Sequence, residues 1–377
     1  MSFVPEDYNA DLFNSRLLIL KESNMKLKLR PLETQVIVIT GATSGIGLVT
    51  ARKAAERRAR LVLASRNEGA LKFLADEINA SGGEAVHAVA DVGNEEDVRK
   101  IASTARQRFG GFDTWINNAG VSIYGNLTDV SLADHRRLFD TNYWGVVHGS
   151  LVAVEHLKLR GGGALINIGS ALSDRAIPVQ GAYCASKHAV KGFTDALRME
   201  LEHEQIPISV TLIKPAAIDT PYKAHAKNYL PVEPQNPPPV YAPEVVADAI
   251  LFCAENPERD VFVGAGGKGI SMAGNYAPEI TDKIMEWTMF GMQETDKPET
   301  NGEENALYEP SGPYAERGGY EGHVAESSLY TKASLHPMIL GGLLLAGAGL
   351  AYIALRETGS RVRGKGHHTQ TDYWGKG

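Results

Sequence analysis

The stretches Ile166-Asn-Ile-Gly-Ser170 and Tyr183-Cys-Ala-Ser-Lys187 read as a strand that delivers a serine and a helix that delivers a tyrosine and a lysine. Tyr183 and Lys187 are four residues apart, so on a helix both side chains leave from one face and reach one pocket. A phenol with an ordinary pKa near ~10 exchanges protons poorly at neutral pH. An ammonium about 5 Å away, at an effective dielectric of about 20, is worth roughly 3 kcal/mol. Such a charge is expected to lower the Tyr183 pKa by on the order of two units. Tyr183 then qualifies as a general acid/base, with Ser170 donating a hydrogen bond to the same substrate oxygen. Taken alone, Tyr-x-x-x-Lys on a helix is common by chance, and its company decides the case.

Upstream, Gln35 to Thr40 is a β-branched apolar run of the kind that forms a buried parallel strand. Gly41, Gly45 and Gly47 follow and open a helix through Glu56. Glycine suits that turn because the backbone must bend tightly and approach a pyrophosphate, whose charge is favoured at a helix N-terminus. A second strand, Arg60 to Ser65, ends where dinucleotide folds choose their cofactor. An acid there would accept hydrogen bonds from the ribose hydroxyls of NAD. Here Ser65 stands in that place and Arg66 follows, a cation able to pair with a 2′-phosphate, so NADP is the expected cofactor. Asn117-Asn-Ala-Gly120 closes another short strand between the glycine loop and Ser170.

In this order, Thr40-Gly-Ala-Thr-Ser-Gly-Ile-Gly47, Asn117-Asn-Ala-Gly120, Asn142, Ser170 and Tyr183-x-x-x-Lys187 resemble the short-chain dehydrogenase/reductase family from about Gln35 to about Gly267. The resemblance implies one doubly wound, Rossmann-type α/β domain with a parallel sheet of about seven strands in the order 3-2-1-4-5-6-7. It implies hydride transfer between NADP(H) and a carbonyl or secondary alcohol. In that chemistry Tyr183 gives the proton, Ser170 positions the oxygen, Lys187 tunes Tyr183 and holds the nicotinamide ribose, and Asn142 holds a water near the lysine. The cofactor residues it implies are Gly41, Thr43, Ser44, Gly45, Ile46, Gly47, Ser65, Arg66, Asp91, Val92, Asn118, Ala119, Gly120, Tyr183, Lys187, Pro215, Ile218 and Thr220. Ala216 departs from the Pro-Gly that the family usually has there. A proline-rich loop, Pro221 to Pro243, is expected to be a substrate lid, and its Tyr222, Tyr229 and Leu230 suggest an apolar substrate.

The two cysteines, Cys184 and Cys253, have no metal-like spacing and exclude a disulfide framework and a structural zinc. A net charge of −7 gives no sign of nucleic-acid binding. Residues 1–34 are expected to be an N-terminal extension without a secretory signal, leaving a cytoplasmic catalytic domain over 35–292. A helix from Pro278 to about Met292 is expected to turn Ile280, Ile284 and Trp287 toward the pocket or a partner subunit. Residues 293–332, rich in Glu, Gly, Pro and Ser, read as a flexible acidic linker. Residues 333–355 carry no Asp, Glu, Lys or Arg over 23 residues, so a membrane-associating helix is expected, with a basic tail over 356–377. Its glycines and alanines also suit self-association, consistent with an expected homo-oligomer. Two other readings stand beside the reductase: an epimerase or dehydratase using the same Tyr/Lys chemistry, and a non-catalytic, membrane-tethered dinucleotide-binding protein.

Overall fold

The computed structural model describes residues 27–299, 304–312 and 314–336. Seven parallel strands form the central sheet: β1 (Val36–Thr40), β2 (Arg60–Ser65), β3 (Glu84–Val89), β4 (Thr114–Asn117), β5 (Gly163–Ile168), β6 (Ile208–Pro215) and β7 (Asp260–Val263). Their spatial order is β3-β2-β1-β4-β5-β6-β7, with the order reversing between β1 and β4. That switch point is where an open α/β sheet leaves a crevice at its carboxyl ends. The expected doubly wound order is therefore present.

Each strand is followed by a helix that covers a face. Helices α1 (Gly45–Glu56), α2 (Glu68–Ala80) and α3 (Glu95–Phe109) follow the first three strands. After β4 come α4 (Leu132–Phe139) and α5 (Gly145–Arg160), joined through a five-residue π-helical turn, Asp140–Trp144. Helix α6 (Gly181–His203) follows β5, and α7 (Pro243–Glu255) precedes β7. Side chains alternate across a strand, so β1 sends Val36 and Val38 into the cluster formed with α3, α5 and α6, and Ile37 and Ile39 to the opposite face. All five β1 residues are buried, which is why the run reads as continuous rather than alternating apolar sequence. In α2, Leu71, Leu74, Ala75 and Ile78 recur at helical spacing and are all buried, and Asn67 caps the helix by accepting from the Ala70 N–H.

Polar groups tie the middle strands together inside the core. Trp115 Nε1 donates to Asn117 Oδ1 at 2.7 Å, Asn117 Nδ2 to Asn167 Oδ1 at 2.9 Å, and Asn167 Nδ2 to Thr194 Oγ1 at 3.0 Å. The β4, β5 and α6 positions are thereby locked in one register. Helix α5 meets this network with Gly149, where an added Cβ would lie 2.0 Å from Asn117 Oδ1.

Three expectations are corrected. The domain begins before Gln35, because Leu29 and Leu32 are buried and the Leu32 N–H donates to Glu255 Oε1. The helix Pro278–Gln293 buries Thr281, Met285, Met289 and Gln293 instead, leaving Ile280, Ile284 and Trp287 exposed. The stretch expected as a flexible linker is folded: Glu294–Pro298 pairs with Val232–Pro234, Leu307 is fully buried, and Val324–Ala325 pairs with Val240–Tyr241. The described chain divides after Ser328, and a short helix, Leu329–Leu335, belongs to the second unit. Residues 1–26 and nearly all of the apolar stretch 333–355 and the basic tail fall outside the described residues. Among the described residues no helix is long and apolar enough to cross a membrane.

Gly149→Ala forces a methyl into the asparagine network. Overpacking of this kind costs about 1–3 kcal/mol, which at about 2–4 °C per kcal/mol is a fall of several degrees in melting temperature by calorimetry.

Candidate active site

Ser170 stands two residues past β5 as the cap of a 3₁₀ turn, Ala171–Ser173. Its Oγ accepts from the Leu172 N–H at 3.0 Å while Ser173 Oγ accepts from the Ser170 N–H at 3.1 Å. That reciprocal arrangement fixes the rotamer and leaves the Ser170 O–H free to donate. Tyr183 and Lys187 leave one face of α6 toward it. Lys187 Nζ donates to the Ile168 carbonyl at 2.8 Å, lies 5.7 Å from the Tyr183 ring centroid, and is 4% exposed.

The ionisation of this pair differs from the sequence expectation. Burial pushes the Tyr183 phenol up to about 12, with hydrogen bonding to Ser170 and Tyr222 acting in the opposite direction. Burial also lowers Lys187 to about 8. Desolvation is the leading cause for both groups, and the Lys187 ammonium is spent on the Ile168 carbonyl. Asn142 sits in the π-helical turn and is fully buried. Its Oδ1 accepts from the Val121 N–H at 2.8 Å, and its Nδ2 donates to the Val121 carbonyl at 2.9 Å and to Ser186 Oγ at 3.0 Å. Both amide donors are used, so its side chain braces the chain beside Lys187, and any water it holds must bind through Oδ1 or its main chain.

The glycine loop packs against the end of β4. Gly41 has φ +65°, and a Cβ there would meet the Ala119 Cα at 2.8 Å; at Gly47 it would meet the Gly41 carbonyl at 2.1 Å. Asn118 reaches back to the Thr40 and Gly41 carbonyls at 3.0 and 3.1 Å, so it holds the loop in place. A cavity beside the loop is lined by Gly41, Thr43, Ser44, Ser65, Arg66, Asp91, Val92, Ala119 and Gly120 among others. A second cavity is lined by Ile46, Asn118, Ser170, Tyr183, Lys187, Pro215, Ile218 and Thr220, with Leu172, Ile177, Pro237, Ile270 and Met289 as apolar walls. Gly120 touches both. The departure at Ala216 is accommodated: Cβ atoms built on Gly264 and Gly267 would lie 3.0 and 3.5 Å from its methyl, so glycines opposite make the room.

A profile described as short chain dehydrogenase matches residues 35–229, about half of the chain. The chain belongs to the short-chain dehydrogenase family. An uncharacterized oxidoreductase, YxnA, of Bacillus subtilis is 51% identical over 316 residues, covering 83% of this chain and 89% of the relative. The putative oxidoreductase SadH of Mycobacterium tuberculosis is 32% identical over 250 residues, covering 64% and 90%. A short-chain dehydrogenase/reductase from Burkholderia phymatum, solved in complex with NAD, superposes with a TM-score of 0.60 at 26% identity, covering 67% of this chain and 96% of that one.

Within this short-chain dehydrogenase several contacts lie outside the sequence reading. Asp91 accepts from Arg137 Nη2 at 2.6 Å, and Arg137 Nε donates to the Leu307 carbonyl at 2.9 Å, so the acid expected beside adenine is already paired. Arg66 donates to the main-chain carbonyls of Ala306, Leu307 and Tyr308. Tyr222 reaches the pocket, with its ring edge-on to Tyr183 at 5.5 Å and its OH on Ser122 Oγ and Gln180 Oε1 at 2.7 and 3.1 Å. The other two residues expected in the lid do not join it. Tyr229 turns its hydroxyl to Asp134, and Leu230 is buried with Tyr124, Val179 and Ala226. Cys184 is buried beside Ile177 and Met285, a packing residue whose thiol burial pushes up to about 11.

A lysine whose native pKa lies near 8, below its ordinary 10.5, costs stability while it is ionised in the fold. Between those values the unfolded chain binds more protons, so native stability rises with pH. Lys187→Met in the cofactor-free protein is expected to melt above wild type at pH 8 and below, with the gap closing toward pH 10.5 in a pH series of thermal melts.

Proposed function

We propose that this short-chain dehydrogenase interconverts a carbonyl and a secondary alcohol with NADP(H), acting on an apolar substrate. The observation that carries the proposal is the meeting of Ser170, Tyr183 and Lys187 in one cavity whose walls are mostly apolar, with Leu172, Ile177, Pro237, Ile270 and Met289 among them and Asn118, Gln180, Thr220 and Asn236 as polar exceptions. When bound, the nicotinamide supplies or accepts a hydride at the substrate carbon. The residues of the chain handle the oxygen. The Ser170 O–H, which bonds Tyr183 in the cofactor-free site, turns to donate to it, and Tyr183 delivers the proton, a role open to a phenol, which is protonated at neutral pH. Lys187 places positive charge behind Tyr183 and is positioned to hold the ribose.

The fit to a dinucleotide rests on the glycine loop, whose tight turn leaves no room for a Cβ at Gly41 or Gly47 and which lines the cavity through Gly41, Thr43 and Ser44. The preference for NADP rests on Arg66. Its hydrogen-bond partners are neutral carbonyls, and Ser65, which it follows, is bound by the Asn67 N–H rather than presenting an acid. A cation held by carbonyls keeps its full charge for a phosphate. The NAD found in the Burkholderia phymatum enzyme makes the competing cofactor explicit.

Arg66→Ala is expected to raise Kd for NADP(H) about tenfold or more relative to NAD(H), the loss of a charge-assisted contact worth about 1.5–3 kcal/mol. Equal weakening of both cofactors in titration calorimetry contradicts the preference. Tyr183→Phe keeps the ring and loses the proton, so NADPH affinity is expected to persist while turnover on a carbonyl panel falls by at least about 10². Near-normal turnover contradicts the mechanism.

A further inference from the structure

Residues 304–312 and 314–328 run the length of the cleft between the glycine loop and the turn after β6. At the first end, Leu307 is fully buried with Val121, Ile123 and Leu138, while Arg66 and Arg137 hold the carbonyls around it. In the middle, the Ala315 carbonyl accepts from the Gly45 N–H at 2.9 Å, at the N-terminus of α1. Glu316 pairs with Arg52 at 2.7 Å, and Tyr314 packs edge-on to Phe73 at 5.3 Å. At the far end Asp219 Oδ1 accepts from the Gly318 and Tyr320 N–H groups at 3.1 and 3.0 Å. Arg317 grips both oxygens of Glu244 at 2.9 Å and reaches Glu326 at 2.7 Å. Ala306, Pro310, Ser311, Gly312 and Tyr314 line the same cavity as Gly41, Ser65 and Arg66.

The segment thus roofs the cavity beside the glycine loop and takes hydrogen bonds from two groups, Arg66 and the Gly45 N–H, that face into the cleft. Its attachment is uneven. Leu307 is fully buried at one end, and Val324–Ala325 pairs with Val240–Tyr241 beside buried Ser328 at the other, whereas the stretch around Tyr314 to Tyr320 is held by ion pairs and single hydrogen bonds and contains Gly318 and Gly319, the latter at φ +66°. Ties of that kind open locally at far lower cost than a packed core.

We propose that this segment is a strap belonging to the dinucleotide site: anchored at Leu307 and at the Val324–Ala325 strand, it lifts between these anchors to admit the cofactor and closes over the adenosine half to retain it. The inference rests on reading the cleft as a dinucleotide site. The strap acts on the half common to NAD and NADP, so its effect is expected on both; Arg66 also holds the strap's carbonyls, so the strap is tested at Arg317, which does not line the cavity. It also assigns cofactor contact to residues well beyond the 35–229 segment that the family profile matches.

The test uses Arg317→Ala in the full chain, because Arg317 fastens the strap without lining the cavity. Stopped-flow fluorescence of NADPH and NADH release is expected to show both leaving about two- to fivefold faster, the scale of losing a part-exposed ion-pair clamp. Hydrogen exchange on the wild type supplies the second measurement: amides of 304–312 and 314–320 are expected to slow when NADPH is added. Wild-type release rates in a folded Arg317→Ala protein, or exchange unchanged by NADPH, overturn the strap while leaving the cofactor assignment intact. A wild type that binds neither dinucleotide overturns that assignment, and the strap with it.

Discussion

A buried ammonium governs this site. Lys187 is 4% exposed, and the acceptor it reaches is the Ile168 carbonyl at the end of β5. Removing a cation from water is costly unless its surroundings are arranged to receive it. The neighbouring elements answer that demand in turn: β5 supplies the carbonyl, α6 fixes the ammonium four residues from Tyr183, and the π-helical turn brings Asn142 against Ser186 and Val121. The asparagine and threonine network behind β4 and β5 keeps the strand end from shifting. The same burial burdens the cofactor-free fold through Lys187 and raises the Tyr183 phenol further above its ordinary value.

The cleft on the other side of the glycine loop is shaped by chain from beyond the 35–229 segment. Arg66 and Arg137 both turn toward the carbonyls near Leu307, and Asp91 is drawn into that set through Arg137. Two cations therefore converge on one end of the crevice, Arg137 paired with Asp91 and Arg66 within the field of Asp91 and Glu309. An anionic ligand end is the natural complement of that arrangement.

Much of this was legible in the sequence. The apolar runs identified the sheet strands, and the glycine spacing together with Ser170, Tyr183 and Lys187 pointed to the family that the profile matches. What was missed has physical causes. The strap was read as a linker because its composition is polar and rich in Glu, Gly and Pro. Its order comes from main-chain carbonyls and long-range ion pairs, such as Arg66 to Tyr308 and Arg317 to Glu244, which leave no local periodicity. Ile280, Ile284 and Trp287 form a genuine helical stripe, yet Met285 and Met289 pack inward because the cavity they meet is lined by Ile177 and Leu172. Tyr229 was assigned to the lid by proximity in sequence, whereas Asp134 captures its hydroxyl. The phenol pKa was misjudged because a charge is visible in sequence and its desolvation is not.

The central claim is that the Ser170, Tyr183 and Lys187 cavity carries out hydride transfer at a carbonyl carbon. The direct measurement is mass spectrometry of alcohols formed from a panel of apolar ketones and aldehydes with NADPH deuterated at the transferring position. The account predicts one carbon-bound deuterium at the new carbinol centre. Bound NADPH with no such transfer to any member of the panel contradicts it.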